Sequence, residues 1–248
     1  NTGVHELKEK IAHLAKFSDE SKRILADFIR KGDTVLFVTP IDESAPKARL
    51  ILPVQMALRD VLDAGAVGLI TKETELEKAL DSLKNPPSLV VTDSQVFGYV
   101  SKIVPKEIPL TSFSILMARY KGFLKCAVNG VRALSNLKDG DNILIAEGCT
   151  HHRQCNDIGS VKIPAWLKQA TGKNLNISVC SGTEFPDDLS KYSLIIHCGG
   201  CMLPSREVIY RMRSAMQQNV PFTNYGTFIA HVNNILERSI EILSHELK

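Results

Sequence analysis

The stretch PVQMALRDVLDAGAVGLIT, residues 53–71, decides the fold class, because two kinds of secondary structure follow each other in it without a break. Residues 53–65 have apolar side chains at helical spacing, with Pro53 at a position suited to a first turn and Gly65 at the end. Residues 66–71, AVGLIT, are typical of a short buried strand. The stretch therefore predicts an α/β unit.

The sequence on either side extends this unit. Residues 33–40, DTVLFVTP, form a β-branched run closed by a proline and predict a preceding strand. A second helix is predicted over 73–83 and a third strand over 88–93. The order strand, helix, strand, helix, strand predicts a small parallel sheet.

A boundary is predicted near residues 104–113, which contain two prolines and show no clear periodicity. Helical patterns follow at 112–122 and 124–137, and the alternation then resumes. We predict strands at 142–148, 174–182, 192–200 and 220–224, and helices at 163–172, 205–219 and 228–247. The fold class is thus α/β with two consecutive domains, each a mostly parallel sheet flanked by helices, over 26–109 and 110–248, after an N-terminal linker or helix at 1–25.

Composition excludes several classes of function. The 248 residues are 44% hydrophobic and 23% charged, a normal globular balance, and the net charge of +3 with no basic run argues against nucleic-acid binding. No stretch approaches the roughly 18 apolar residues of a membrane span, and the N-terminus lacks the apolar core of a signal peptide. We therefore expect no membrane partner and a cytoplasmic location, where the six cysteines stay reduced and bind metal or react.

Two short windows hold most of the reactive side chains. AEGCTHHRQCNDIG (146–159) and IIHCGGC (195–201) together contain four of the six cysteines and three of the seven histidines. Cys149 follows the predicted strand 142–148, and Cys198 follows the strand that begins at 192. Because ligands gather outside the carboxyl ends of parallel strands, we expect the two windows to meet at one edge of the second sheet.

The residue types in these windows indicate a metal centre. Cys198 and Cys201 form a CxxC pair, which can share one metal or act as a redox dithiol. Cys149 would supply a third thiolate, and His151 and His197 lie close to the cysteines in sequence. Three thiolates with an imidazole or an open position suit zinc or an iron–sulfur cluster.

The remaining candidates have simpler interpretations. We expect His152 to be a surface neighbour, Cys155 a spectator thiol, and Cys126 and Cys180 buried packing residues. Three arginines, Arg206, Arg211 and Arg213, are expected on a solvated helix face.

The chain resembles a known family at these motifs. EGCTHHRQCNDIGSVKIPAWL (147–167) and IIHCGGCM (195–202) resemble the cluster-binding domain of HydF, the scaffold GTPases of [FeFe]-hydrogenase maturation. LILPVQMALRDVLDAGAVGLIT (50–71) and PLTSFSILMARYKG (109–122) resemble its dimerisation domain and the start of its cluster domain. The resemblance covers essentially the whole chain.

The resemblance implies a [4Fe–4S] cluster held by Cys149, Cys198 and Cys201, with an exchangeable fourth site to which His151 and His197 lie close as alternative ligands or neighbours. It implies a scaffold that carries a transient two-iron precursor. Its partners would be two radical-SAM hydrogenase maturases, which build the precursor, and apo-[FeFe]-hydrogenase, which receives it.

The resemblance also implies that 26–109 is a dimerisation domain and 110–248 the iron–sulfur cluster-binding domain. The homodimer would pair the first sheets, and the apolar strands at 66–71 and 88–92 are the candidates for the joining edge.

One departure from the family is large. Its GTPase domain requires a G-x-x-x-x-G-K-[ST] loop to hold phosphates, and no such sequence occurs in these 248 residues. We therefore expect Asn1 to begin a chain that lacks this domain, and we expect no enzymatic activity of its own.

Two other interpretations of the thiols stay open. One is a structural zinc site of the Cys₃His or Cys₂His₂ type in an interaction module. The other is a thiol oxidoreductase that uses Cys198 and Cys201 alone, and its activity would survive the loss of Cys149.

Overall fold

The computed structural model describes residues 3–14, 22–41, 50–148 and 157–247. Its strands are β1 Thr34–Val38, β2 Val67–Thr71, β3 Leu89–Thr92, β4 Leu110–Ser112, β5 Asn142–Glu147, β6 Asn176–Ser181, β7 Leu194–His197 and β8 Phe222–Asn224. Its helices are α1 Val4–Leu14, α2 Leu52–Asp63, α3 Leu76–Asp81, α4 Phe97–Ile103, α5 Phe113–Lys121, α6 Leu124–Val131, α7 Ile163–Thr171, α8 Ser205–Gln217, α9 Tyr225–Val232, α10 Leu236–Ile240 and α11 Ser244–Leu247. No helix in these ranges is long and apolar enough to cross a membrane.

The strands form two four-stranded sheets, and every pairing among them is parallel. The first sheet has the order β2-β1-β3-β4 and the second has the order β6-β5-β7-β8. The two halves of the chain therefore repeat one strand order. In each half the second strand pairs on one side of the first strand, and the third and fourth strands follow on its other side. The prediction of two consecutive α/β units with parallel sheets is confirmed.

Helix α5 lies in the core of the molecule. Ile115 and Ala118 pack in the large core that includes the second sheet, whereas Leu116 and Met117 pack in the core between the first sheet and α2. Ser112, the last residue of β4, caps the helix through a bond from the Ile115 amide to its Oγ of 3.3 Å. One short helix thus belongs to both halves of the structure.

The first sheet has a fourth strand that the sequence analysis did not predict. Strand β4 pairs with β3, so residues 110–112 belong to the first sheet. Pro109 directly before it indicates a loop, and a strand of three residues is too short to show alternation of apolar and polar side chains. The division after residue 109 stays a prediction.

The proposal that 88–92 is a joining edge is wrong. Strand β3 lies between β1 and β4 and is buried along its whole length, so its backbone groups are already paired on both sides. The other candidate, β2, is an edge strand, and 55% of Val67 is exposed.

The C-terminal helix predicted over 228–247 is broken. Helix α9 ends at Val232, and Asn234 takes a left-handed conformation with φ of 58°. Asparagine tolerates this region better than most residues, which is why the chain turns here and restarts as α10.

Arg238 of α10 joins the second half of the chain to the first. Its guanidinium donates to the carbonyls of Ser101 at 3.1 Å and Val104 at 3.0 Å, and also to those of Pro105 and Ile108. The C-terminal carbonyls of α4 lack partners within their own helix, so a fixed cation there satisfies them and opposes the helix dipole.

We predict that Gly130→Ala lowers the free energy of unfolding by about 2–3 kcal/mol. An added Cβ would lie 2.1 Å from the Phe222 carbonyl oxygen, and that atom belongs to the backbone of a paired strand. Chemical denaturation followed by circular dichroism measures the loss.

Gly68→Ala is the matched control. Its added Cβ meets only the end of a flexible side chain closely, Leu58 Cδ1 at 2.4 Å, which can rotate away. A loss in this variant as large as in Gly130→Ala would contradict the backbone contact as the cause.

We predict that Arg238→Met costs about 2 kcal/mol of unfolding free energy and speeds amide hydrogen exchange over residues 101–108. The reason is that carbonyls at the end of α4 lose a charged donor. Arg59→Met is the control, because its ion pair with Asp63 is exposed and should contribute less than about 0.5 kcal/mol. Unchanged exchange at 101–108 in Arg238→Met would contradict this role.

Candidate metal centre

A cleft of about 240 Å³ lies where the carboxyl ends of both sheets meet. Residues from both halves of the chain line it, among them Asp93, Ser94, Phe113, Met117, Glu147, Cys198, Cys201 and Tyr225. Parallel strands bring their carboxyl ends to one edge, and α5 holds the two edges against the same space. The predicted CxxC pair, Cys198 and Cys201, therefore lines a cleft at the carboxyl ends of both sheets.

Cys198 has the most defined surroundings of the site residues. Its Sγ accepts hydrogen bonds from the Gly148 amide at 3.0 Å and the Gly200 amide at 3.3 Å. Gly200 has a φ of 60°, a left-handed conformation that glycine adopts readily. Two amide donors on one sulfur stabilise a thiolate, the form that binds metal.

The pairing of β5 with β7 explains why Gly148 reaches Cys198. Ala146 and His197 are register partners, so the next residues of the two strands leave the sheet side by side. A Cβ on Gly148 would lie 2.8 Å from the Leu203 side chain, so a larger residue here would require Leu203 to move. Cys149, His151, His152 and Cys155 lie outside the described residues, and Gly148 is the last described residue before them.

Cys201 also lines the cleft, and no disulfide joins it to Cys198. Beneath this loop lies Lys121, the last residue of α5, of which 4% is exposed. Its Nζ donates to the carbonyls of Gly200 at 2.6 Å and Leu203 at 2.5 Å. Burial lowers the pKa of Lys121, and the neighbouring Cys201 and Cys198 act in the opposite direction.

The structure places His197 in the protein interior with both ring nitrogens hydrogen-bonded. Nδ1 lies 2.7 Å from the Cys198 carbonyl oxygen, which only accepts, so Nδ1 carries the proton. Nε2 then accepts from the Arg211 guanidinium at 3.3 Å. Burial lowers the pKa of His197 to about 4, and the charges of Arg211 and Lys121 act in the same direction.

The expectation that Arg211 lies on a solvated helix face is wrong. Only 1% of it is exposed, and it contacts His197, the Glu207 carboxylate at 2.8 Å and the Gly182 carbonyl at 2.5 Å. Its guanidinium also lies over the Phe185 ring, 5.1 Å from the centroid. Arg211 therefore holds the His197 ring and the end of β6 against α8.

A buried carboxylate forms the far wall of the cleft. Glu147 ends β5, and it accepts from the Tyr225 hydroxyl at 3.3 Å and the Ser181 hydroxyl at 3.3 Å. Burial raises the pKa of Tyr225, and the Glu147 charge adds to that increase. The hydroxyl of Tyr225 therefore stays protonated and donates.

Two other cysteines lie away from this centre, as expected for packing residues. Cys126 is half-buried in α6 and its Sγ lies 3.9 Å from the Phe222 carbonyl oxygen. Cys180 is buried in β6. Burial raises the pKa of both thiols, which makes each a poor ligand or nucleophile at neutral pH.

The donor set at the cleft fits an iron–sulfur cluster or zinc. Among the described residues no group of three or more metal-ligating side chains comes together, so a centre with three protein ligands would need a donor from outside these residues. Cys198 and Cys201 would be two of its ligands, in a loop whose amides already point at sulfur.

Sequence analysis did not name Lys121 or Glu147, and it predicted a solvated position for Arg211, which is buried. The available signal was a charged residue in or directly after an otherwise apolar stretch, as in SILMARYK (114–121) and NILIAE (142–147). That signal does not distinguish a buried charge from the exposed end of an element.

Comparisons with solved structures give only weak likenesses. An NtrC family transcriptional regulator from Clostridium acetobutylicum is 9% identical with a TM-score of 0.27, and 87% of this chain aligns with 98% of that one. A 5,10-methylenetetrahydrofolate dehydrogenase from the silkworm, Bombyx mori, is 13% identical with a TM-score of 0.27, over 98% and 94% of the two chains. These similarities are too low to bear on function, and no curated protein matches the chain.

Family models give a clear result. The hydrogen maturase F dimerization domain matches residues 24–122, and the hydrogen maturase F tetramerization domain matches residues 125–242. The two matches meet at the end of α5, and between them they span the sheets and the cleft described above. The chain belongs to the hydrogen maturase F (HydF) family.

Proposed function

We propose that this chain is a scaffold for hydrogenase maturation that binds a [4Fe–4S] cluster through Cys149, Cys198 and Cys201. The observation that carries the proposal is the sulfur of Cys198, which accepts from the Gly148 amide at 3.0 Å. That bond holds the residue before Cys149 against the CxxC loop. The family membership and the cleft that both matched domains line support the same assignment.

When bound, the cluster would supply an iron position with an exchangeable ligand, to which a transient two-iron precursor could attach. The residues of this chain bind and orient rather than react. Gly148 and Gly200 stabilise the Cys198 thiolate, and the apolar side chains of Phe113 and Met117 form part of the cleft wall. Three thiolates leave one position that a weak ligand can vacate, which suits a carrier that hands its cargo to apo-[FeFe]-hydrogenase.

His151 is our choice for the exchangeable fourth ligand, in preference to His197. Both ring nitrogens of His197 are engaged, one by the Cys198 carbonyl and the other by Arg211. Binding metal through His197 would break one of these bonds inside the protein and leave a buried group without its partner. His151 follows Cys149 by two residues in the segment that begins at Gly148.

We further propose that the chain self-associates, as the names of both family domains suggest. Strand β2 is the candidate edge of the first sheet, because it pairs only with β1 and leaves Val67 exposed. The remaining partners would be two radical-SAM maturases, and the site of action would be the reducing cytoplasm.

The first prediction concerns the three cysteine ligands. After anaerobic reconstitution with iron and sulfide, Cys149→Ser, Cys198→Ser and Cys201→Ser should each hold at least about tenfold less cluster than the wild type, because each loses a thiolate ligand. Visible absorption with iron and sulfide analysis measures the content. Cys126→Ser and Cys180→Ser are the matched controls and should load normally, since both thiols pack in the protein.

Reconstitution and a disulfide-reduction assay distinguish the two alternative interpretations of the thiols. A structural zinc module would hold zinc tightly, stay colourless and give no visible absorption after reconstitution. A thiol oxidoreductase would reduce a test disulfide in the Cys149→Ser variant as fast as in the wild type. Either result would overturn the cluster assignment.

The second prediction concerns the fourth ligand. His151→Ala should change the electron paramagnetic resonance spectrum of the reduced cluster, and added imidazole should restore it, because a small ligand can occupy the vacated position. His197→Ala should keep the wild-type spectrum while lowering folding stability, since Arg211 loses its acceptor. The opposite pattern, with a changed spectrum only in His197→Ala, would contradict the choice of His151.

A further inference from the structure

We propose that Lys121 is a positioning residue of the metal centre: helix α5 brings its ammonium from the first sheet to the loop CGGC (198–201), fixes two carbonyls there and places a positive charge beside the thiols. This inference deepens the proposed function and rests on it for every measurement made on the bound cluster. It concerns a residue outside the thiol windows, and it joins the two halves of the chain at one centre.

The geometry is that of a clamp. Lys121 is almost fully buried, and its Nζ donates to the Gly200 carbonyl at 2.6 Å and to the Leu203 carbonyl at 2.5 Å. The first acceptor lies inside the CxxC loop and the second lies just beyond it, so one side chain spans the turn between β7 and α8. The Gly200 carbonyl and the Cys201 N–H belong to one peptide group, and in a trans peptide these two groups point in opposite directions. Because Lys121 binds the carbonyl, the Cys201 N–H points away from the lysine.

The charge of Lys121 needs compensation that carbonyl dipoles alone do not supply. Burying an ammonium is costly unless it is hydrogen-bonded and paired with negative charge. Cys198 and Cys201 are the groups near enough to oppose the effect of burial on the pKa of Lys121. Thiolates bound to iron keep that negative charge in place, so loading of the centre and burial of the lysine should stabilise each other.

Lys121 reaches the loop from the first half of the chain. Helix α5 begins at the end of β4 in the first sheet, capped by Ser112, and it ends at Lys121, followed by Gly122 in a left-handed conformation. Lys121 lies within the match to the dimerization domain, residues 24–122, whereas both thiols lie within the second match, residues 125–242. Rigid-body movement between the two sheets would therefore change the contact of the lysine with the loop.

The first test uses the metal-free chain, so that it does not depend on cluster binding. Amide hydrogen exchange followed by mass spectrometry compares the wild type with Lys121→Met, Lys121→Arg and the control Lys102→Met, which removes an exposed lysine of α4. We expect Lys121→Met to speed exchange about tenfold in peptides covering 198–204, while peptides from β1, β3 and β5 keep their rates. Lys121→Arg should restore part of the protection because it keeps a buried donor and its charge.

The second test uses the reconstituted chain at matched cluster content. Lys121→Met should shift the midpoint potential to a more negative value, because a nearby cation favours the reduced and more negative cluster. It should also release iron to a chelator about tenfold faster. Lys121→Arg should return the potential toward that of the wild type, whereas a residue with only a structural role would leave the potential unchanged.

The two tests distinguish the positioning role of Lys121 from its electrostatic effect on the cluster. Unchanged exchange in the loop, or exchange that rises equally in both sheets, would overturn the positioning role. Faster loop exchange with an unchanged potential would overturn the electrostatic part and leave the clamp. If the wild type takes up no [4Fe–4S] cluster, the proposed function fails, and the exchange data on the metal-free chain still decide whether Lys121 clamps the loop.

Discussion

The burial of α5 in two hydrophobic cores at once is the constraint on which the rest of the structure depends. Opposite sides of this nine-residue helix pack in separate cores, so its axis is fixed from both directions. Ligands bind outside the carboxyl ends of the strands of a parallel sheet, but a cleft there needs a second wall. The fixed helix supplies it by holding the loop after β3 opposite the end of β5 and the loop after β7.

Much of this arrangement follows from local sequence. The stretch 53–71 predicts a helix and a strand, and the structure has α2 and β2 there. The apolar run before Cys198 predicts a short buried strand. The structure has β7 there, and Cys198 directly follows its last residue, His197. Periodicity and turn residues are local signals, and they predict elements well when the element is long enough to show them.

The features that sequence could not supply are long-range. Lys121 and Arg211 look like ordinary charges on amphipathic helices, and only the packing of distant segments shows that both are buried. Strand β4 has three residues, and its membership in the first sheet depends on a partner about 20 positions earlier. The turn after α9 depends on the left-handed backbone conformation of Asn234, which asparagine permits without requiring it. In each case the deciding energy comes from tertiary contacts.

The repeated strand order has a consequence for how such a protein changes chemistry. Because both halves have the same strand order, the first and third strands of each half are neighbours that end at the same edge of their sheet. The loops that follow β1 and β3 contain no cysteine or histidine, whereas those that follow β5 and β7 are rich in both. A few loop substitutions are therefore enough to give one half a set of thiols and imidazoles and to leave the other half as plain scaffolding, with both hydrophobic interiors unchanged.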